Sequence, residues 1–309
     1  MNKKKRKVKG KVGNIDNLEK EALAFVETRG KTGTIGALDL MPKTSEVNFV
    51  RRVNIGTGMV TVVYMGEVAA ARSAHDAAGN LVQKISEFIT SNVIARPHES
   101  TYSLIQQASG QQSDMGAGKG KKMALGMVET EGFVGMIEAA DRGIKAADVQ
   151  IPGWVTVGGS LTSVFYRGEV AAVHSAVESG VIAASKITNI VSTHVIPQPH
   201  MGTEQAAPIG EFSAASVFKQ TDPDAALGIL ETRGITGLIE GIDTGLKAAS
   251  VIVQGWEKIG RGITSTIFRG TVADVRSAMD AAKRGADDAG EVVGSYIIAR
   301  PHLELEKGR

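Results

Sequence analysis

Hydrophobic and polar positions follow two different periods along the chain, and residues 225–302 display them most clearly. Short apolar or alternating runs of six or seven residues are typical of strands, while apolar positions three and four apart are typical of amphipathic helices. The pattern predicts, in chain order, a strand over 226–231, a helix over 235–249, a strand over 250–256, a turn at Gly260-Arg261-Gly262, a strand over 263–269, a helix over 272–290 and a strand over 291–299.

This pattern occurs three times, at a constant offset of 102 residues. The offset links lysines, glycines and Pro-His pairs as well as one four-residue string, and no insertion breaks the register. The string is Glu27-Thr28-Arg29-Gly30, then Glu129-Thr130-Glu131-Gly132, then Glu231-Thr232-Arg233-Gly234. The chain is therefore a tandem array of three copies of one domain.

The repeats set the domain boundaries. Between the copies lie segments rich in Gln, Ser, Gly, Ala and Thr without strong periodicity, which is typical of linkers. The predicted units are a basic N-terminal tail over 1–20, domain 1 over 21–98, a linker over 99–122, domain 2 over 123–200, a linker over 201–224, domain 3 over 225–302 and a C-terminal tail over 303–309.

The order β-α-β-β-α-β predicts an α+β fold for each copy. It is the ferredoxin-like arrangement, an antiparallel sheet with helices on one face. Copy one differs in its first helix, because Pro42 falls where the helix should continue, so we expect that helix to be shortened or distorted.

The amino-acid composition limits which cofactors, metal sites and partners the chain can have. The chain has no cysteine, which excludes disulfides, iron–sulfur clusters and cysteine-based zinc sites, and we expect neither cofactor nor metal. No apolar run approaches the length of a membrane span, and no apolar region follows the basic N-terminal residues, so we expect no membrane partner and no secretory signal. The formal net charge of +2 argues against polyanion binding by the body of the protein.

Three stretches carry a family resemblance: ALGMVETEGFVGMIEAADRGIKAADV, GWEKIGRGITSTIFRG and VIARPH. They resemble the shell domain of bacterial microcompartments (BMC), and the likeness extends over all three copies. The resemblance implies flat hexagonal tiles that join edge to edge around enzymes, with a central pore for small metabolites.

The family's pore loop, of the type Lys-Ile-Gly-Ser-Gly, has a counterpart in each copy. The resemblance assigns to the pore Asn54, Ile55, Gly56, Thr57 and Gly58; Thr156, Val157, Gly158, Gly159 and Ser160; and Lys258, Ile259, Gly260, Arg261 and Gly262. Thr57, Gly159 and Arg261 would stand at the narrowest point. Exposed backbone N–H groups and the basic residues of copy three predict a preference for small anionic or polar metabolites. Without the resemblance, these glycines would simply supply the positive φ of hairpin turns.

The family's edge residues can be placed in the same way. They correspond to Lys43, Lys145 and Lys247 at the end of the first helix of each copy, and to Arg96, Gln198 and Arg300 after the last strand. A lysine at a helix end can equally complement the helix dipole in solvent.

Six domains make a hexagonal tile, so three per chain predict a homodimer that forms a pseudohexamer. The resemblance further implies other shell hexamers and pentamers as partners, possible contacts with encapsulated enzymes, and a place in the shell within the bacterial cytoplasm. Two other functions stay open at this point: an enzyme with active sites between repeats, and a regulatory module that binds a small molecule.

Several repeated or clustered residues have simpler explanations. His98, His200 and His302 recur at the offset, but no second ligand type recurs with them, which favours a structural role over a metal site. The glutamate of the repeated string is expected to bond the turn that follows its strand. The basic run over 3–11 is typical of a charged tail, with an electrostatic tether to acidic cargo or nucleic acid as the alternative.

Overall fold

The structure is a computed structural model that describes residues 21–111, 123–206, 225–302 and 305. The predicted N-terminal tail, the predicted C-terminal tail apart from residue 305, and residues 112–122 and 207–224 of the two predicted linkers lie outside these residues. No helix in the described ranges is long and apolar enough to cross a membrane.

Each copy folds into four strand positions and two long helices. Domain 1 contains β1 Ala22–Arg29, α1 Lys31–Thr44, β2 Val47–Gly56, β3 Met59–Gly66, α2 Val68–Ile85 and β4 Glu87–Ile94, followed by α3 Glu99–Gln106. Domain 2 contains β5 Ala124–Glu131, α4 Phe133–Ala146, β6 Val149–Gln150, β7 Trp154–Gly158, β8 Leu161–Gly168, α5 Val170–Ala184 and β9 Ile190–Ile196, followed by α6 Met201–Ala206. Domain 3 contains β10 Ala226–Arg233, α7 Thr236–Ala248, β11 Ile252–Gly260, β12 Ile263–Gly270, α8 Val272–Ala289 and β13 Glu291–Ile298.

The sheets confirm the predicted α+β fold. The strand order is β2-β3-β1-β4 in domain 1 and β11-β12-β10-β13 in domain 3, and all pairs are antiparallel. Domain 2 follows the same order. In each copy the last strand shifts register beside the glutamate of the repeated string, at Glu27, Glu129 and Glu231. A shift of this kind is a β-bulge, which re-aims the neighbouring side chains.

The two faces of the first sheet have different partners. Ala22, Ala24 and Val26 pack with α1 and α2 in a core internal to domain 1. Leu23 and Phe25, which point the other way because side chains alternate along a strand, pack in one cluster with domain 2. The opposite face of the domain 2 sheet packs with domain 3 in the same manner. The helices of a domain thus cover one face of its sheet, and in domains 1 and 2 the next domain covers the other.

The expected shortening of the first helix in copy one is wrong. Helix α1 has 14 residues, as many as α4, and continues two residues past Pro42. Pro42 lies in the last turn, and its missing N–H would otherwise have bonded the Leu38 carbonyl. That carbonyl instead accepts a hydrogen bond of 2.8 Å from the Tyr64 hydroxyl.

Domain 2 departs from the predicted single second strand, which is split into β6 and β7. Pro152 has no N–H to donate and lies between the two pieces. Gly153 follows it, and a Cβ there would come within 2.7 Å of the Gln111 carbonyl oxygen. The chain that enters domain 2 therefore packs against the break.

Both segments predicted as linkers begin with a short helix, α3 and α6. The ring of His98 caps α3 by accepting from the Ser100 N–H at 3.2 Å, and the ring of His200 accepts from the Gly202 N–H at 3.0 Å. Leu104 and Ile105 of α3 are buried in the core shared by domains 1 and 2. These helices are too short for a periodic pattern to stand out, and burial at the domain boundary stabilises them.

Candidate functional site

The three loops predicted as pore loops lie side by side in the structure, in chain order. Each is a two-residue hairpin turn with positive φ at both central residues: Thr57-Gly58, Gly159-Ser160 and Arg261-Gly262. Positive φ at both positions is the type I′ geometry that matches the twist of the flanking strands. The glycines of these turns thus supply the positive φ expected of hairpin turns. The three turns also contact one another.

Contacts between the loops are close. A Cβ on Gly56 would lie 3.6 Å from the Gly158 Cα, and the Thr57 hydroxyl bonds the Ser160 hydroxyl. A Cβ on Gly159 would lie 2.6 Å from the Arg261 carbonyl carbon. The middle loop therefore touches both of the others, and Gly159 is required for its approach to the third.

The side chains of the loops differ in exposure and charge. Thr57 and Arg261 are exposed at the turns. Lys258 precedes the third turn, and partial burial lowers the pKa of its ammonium group. Ile55 and Val157 are buried, but Ile259 at the same position of domain 3 is 54% exposed. The loop of domain 3 thus carries both cationic side chains, Lys258 and Arg261, together with the exposed apolar side chain of Ile259.

The glutamates of the repeated string tie each domain to the next. Glu27 Oε1 accepts from the Phe133 N–H at 2.9 Å and from the Thr61 hydroxyl at 2.5 Å. Glu129 Oε1 accepts from the Ile235 N–H and from the Ser163 hydroxyl, both at 3.0 Å. The bonded turn thus belongs to the following domain, not to the glutamate's own. Because the N-cap position of α4 is a glycine, the capping carboxyl of that helix comes from the domain before it.

Burial at these junctions changes the acidity of the capping groups. It raises the pKa of Glu27 to about 7, with Glu131 adding to the rise and the hydrogen bonds from Thr61 and Phe133 opposing it. Burial likewise raises the pKa of Glu129 to about 6, again against its hydrogen bonds. Desolvation disfavours the charged form of a carboxyl, so these caps bind protons near neutral pH.

A second carboxyl at each junction holds the start of the following short helix. Asp141, on α4, accepts from the His98 N–H at 2.7 Å and from the Thr101 hydroxyl at 3.0 Å. Asp243 makes the same two bonds one repeat later, to the His200 N–H at 2.6 Å and the Thr203 hydroxyl at 2.9 Å.

Sequence reasoning missed these junction residues. The available signal was the recurrence of Thr101 and Thr203 at the 102-residue offset, inside segments predicted to be linkers. His98 and His200 act as helix caps, which confirms a structural role for both. No group of three His, Cys, Asp or Glu side chains suited to a metal ion occurs in the ranges that the structure describes.

One pair of side chains across the junction varies between copies. At junction 1–2 the Asn92 amide donates to the Glu138 carboxylate at 2.7 Å. At junction 2–3 the same two positions hold His194 and Glu240, whose side chains lie 3.0 Å apart. The junctions thus share their carboxyl caps and differ at this pair.

The predicted edge residues are exposed, and one of them also takes part in a junction. Lys145 Nζ donates to the Arg96 carbonyl oxygen and pairs with Asp141 at 2.5 Å, so it links domains 1 and 2. Lys43 and Lys247 pair with the aspartates four residues before them. Arg96, Gln198 and Arg300 are exposed just after the last strand of each domain.

The two ends of the array present uncovered halves of this junction. On the helix side, Ile137 and Ile239 are 0% and 1% exposed, whereas Ile35 on α1 is 62% exposed. On the sheet side, Glu27 and Glu129 are both 0% exposed, whereas Glu231 is part-exposed. Among the residues that the structure describes, no domain packs on the helix face of domain 1 or on the sheet face of domain 3.

Comparison with known proteins gives this arrangement a family. The chain matches the BMC domain family over residues 22–97, 124–199 and 226–301, which is most of its length. It belongs to this family, as a bacterial microcompartment shell protein with three BMC domains in tandem.

Two relatives that are similar in sequence agree with this assignment. The chain is 33% identical to the carboxysome assembly protein CcmO of Synechocystis sp. over 72% of each protein. It is 48% identical to the bacterial microcompartment shell protein EutM of Escherichia coli K12, over 28% of this chain and 90% of that one. A microcompartment protein from Desulfitobacterium hafniense DCB has a solved structure with a TM-score of 0.46 and 28% identity, covering 60% of this chain and 99% of that one.

Proposed function

We propose that two copies of this chain close head to tail into a six-domain tile of a microcompartment shell. The observation that carries the proposal is the pair of uncovered junction halves, one on domain 1 and one on domain 3. The exposed helix face of α1 corresponds to faces that are buried on α4 and α7. A heterologous interface of this kind closes when its rotation allows, and three domains per chain supply six in two copies.

The tile would carry a central pore. Its lining would be the three loops that lie together in each chain, with Thr57, Gly159 and Arg261 at the narrowest point. Backbone N–H groups of such turns, two Arg261 and two Lys258 favour small anionic or polar metabolites.

The pore can be tested by charge reversal. Arg261→Glu should reverse the ion selectivity of tiles in a planar bilayer, measured as the reversal potential under a salt gradient. Arg276→Glu makes the same charge change on α8, away from the loops, and should leave the selectivity as it was. Equal effects of the two variants would contradict the pore lining.

The tile edge would use the lysines and the residues after the last strand. Long lysine stems can lie along an adjoining tile while the ammonium group finds a carbonyl oxygen. The partners would be further tiles, other shell hexamers and pentamers, and encapsulated enzymes, in a shell within the bacterial cytoplasm. The assembly role in the name of the relative CcmO supports such contacts.

Electron microscopy of sheets tests the edge. The double variant Lys145→Ala, Lys247→Ala should form smaller or fewer sheets while its circular dichroism stays that of the wild type. The control, Lys84→Ala with Lys283→Ala, removes two exposed lysines from α2 and α8 and should form normal sheets. Normal sheets from the first variant would contradict the edge assignment.

A further inference from the structure

The junction between the two copies would differ from the two junctions inside each chain, and the difference lies at the variable pair. The strand position holds Asn92, then His194, then Tyr296. The helix position one domain later holds Glu138, then Glu240, and for the third junction Gly36 of domain 1. Two polar pairs are thus followed by a tyrosine and a glycine.

The surface around Gly36 is apolar. A Cβ on Gly36 would lie 2.8 Å from Ile85 Cδ1 and 3.2 Å from Leu81 Cδ2. The ends of these two apolar side chains therefore lie where the side chain of a glutamate at position 36 would begin. Ile35 beside it is 62% exposed and Ile85 is 42% exposed. We call Ile35, Gly36, Leu81 and Ile85 the α1 patch.

The matching side chain on domain 3 is also uncovered. Tyr296 is 68% exposed on β13, at the strand position from which Asn92 and His194 reach the next domain. Its neighbour at the capping position is Glu231, and Lys31 is the residue of α1 that corresponds to Phe133, whose N–H receives the Glu27 cap. Both halves of a junction are present, at opposite ends of the chain.

We propose that Tyr296 of one copy packs on the α1 patch of a second copy, while Glu231 caps the Lys31 N–H there, and that this pairing selects domain 1 as the partner of domain 3. The inference rests on the two-copy tile of the proposed function. An aromatic ring gains from burial against aliphatic side chains. Against Glu138 the same ring would replace the Asn92 amide and leave Arg142 as the remaining partner of the carboxylate. Against Glu240 it would replace His194, whose ring lies 3.0 Å from that carboxylate. Burying a carboxylate with fewer partners is costly.

The converse pairings are disfavoured for the same reason. Placed over Gly36, Asn92 would lose the carboxylate to which its amide now donates, and His194 would lose the carboxylate that lies 3.0 Å from its ring. The third junction therefore favours Tyr296 over Gly36, since exchanging either residue with its counterpart at another junction leaves a polar group with fewer partners. The specificity comes from repulsion of wrong partners as much as from attraction of the right one.

Cross-linking tests the contact, because the chain contains no cysteine of its own. With a short bismaleimide, the double variant Gly36→Cys, Tyr296→Cys should give a product of two-chain mass in denaturing electrophoresis. The control Asn92→Cys, Glu138→Cys uses the same two positions of junction 1–2 and should link within one chain. A mismatched pair, Gly36→Cys with Asn92→Cys, should give no two-chain product.

The outcomes separate this inference from the proposed function. Wild-type protein with the mass of two chains, together with no link between positions 36 and 296, would overturn the Tyr296 contact while the tile stands. Wild-type protein with the mass of one chain would overturn both. A 36–296 link within a single chain would show that the chain closes on itself and would also overturn the inference.

A junction transplant gives a second, independent readout. Tyr296→His alone and Gly36→Glu alone should each raise the dissociation constant of the dimer at least tenfold. Combined, they place the residue types of the His194–Glu240 pair at the third junction. The double variant should bind more tightly than Gly36→Glu alone, because the end of the Ile85 side chain can turn aside for the glutamate stem. Single variants that bind as tightly as the wild type, measured by sedimentation, would contradict the pairing rule.

Discussion

Helices α1 and α4 begin at the same position of their repeats and have the same length, yet they have different surroundings. The first turns of α4 are buried under domain 1, with Ile137 at 0% exposure, whereas Ile35 at the same position of α1 is 62% exposed. An isoleucine at both positions shows that the exposed face has the chemistry of a buried one. The comparison teaches that position in the array, and not local sequence, decides which face is covered.

The helix ends reinforce this contrast. Both helices have a glycine at the N-cap with strongly positive φ, +91° at Gly30 and +94° at Gly132. A glycine offers no side chain to the first turn, so each helix depends on a cap from elsewhere. Helix α4 receives it from Glu27, and under the two-copy proposal α1 receives it from Glu231 of the other copy.

The largest expected effect comes from placing a charge at the isoleucine position that α1 and α4 have in common. Ile137→Asp places a carboxylate in the buried junction and should lower the free energy of unfolding by about 3–5 kcal/mol. Ile35→Asp should change the unfolding of the single chain little but should abolish dimers. Urea denaturation and light scattering measure the two effects, and equal destabilisation by both variants would contradict the comparison.

Removal of the second junction carboxyl should have the next largest effect. Asp141→Ala removes the carboxylate that now accepts from the His98 N–H, the Thr101 hydroxyl and the Lys145 ammonium group. This loss should lower the free energy of unfolding by about 2–3 kcal/mol. Asp39→Ala removes the exposed counterpart on α1 and should cost about 0.5 kcal/mol or less. Urea denaturation of a dilute, monomeric sample of each variant makes the comparison.

The pH dependence of the junction follows from Glu27. Its pKa rises to about 7 on burial, from an ordinary value of 4.5, so the folded chain holds a proton that the unfolded chain has released. The stability that this group contributes is complete below pH 4.5 and is lost as pH rises to about 7, a change of roughly 3 kcal/mol.

Glu27→Gln mimics the protonated group and should remove this part of the pH dependence. Unfolding free energies at pH 5 and pH 8 measure it, and the difference between them should shrink in the variant. An unchanged difference would contradict the assignment of the proton to Glu27. Glu231→Gln is the matched control, because the same residue at the open end is part-exposed.

The smallest effect concerns the loops. Gly159→Ala would bring a methyl group to within 2.6 Å of the Arg261 carbonyl carbon, at a φ of +62°. Gly255→Ala has a φ of +81° but nothing within 4 Å, so it carries the backbone strain alone. We expect Gly159→Ala to cost about 1–2 kcal/mol more than Gly255→Ala in thermal or urea unfolding.

The sequence predicted the elements well because each is encoded locally and repeated three times. Helical and alternating periods located the strands and helices, and the glycines of the turns at 56–58 and 260–262 identified the hairpins. The 102-residue offset then transferred each assignment to copies where the pattern is weaker. Pro42 misled the prediction because only its position near the end of α1 makes it harmless.

The partner of a side chain across a domain boundary could not be predicted in this way. Glu27 was expected to bond its own turn, but the β-bulge beside it and the next domain direct it to the Phe133 N–H. The helix α3 is equally non-local, since it is stabilised by Asp141 of the next domain and by burial between domains. Such contacts depend on how domains meet, which no local period records.

The mass of the wild-type protein in solution tests the central claim most directly. Light scattering across a concentration series, followed by electron microscopy of the same sample, should give two chains per particle and flat six-lobed rings. A single-chain mass at every concentration, with particles of three domains, would contradict the two-copy tile.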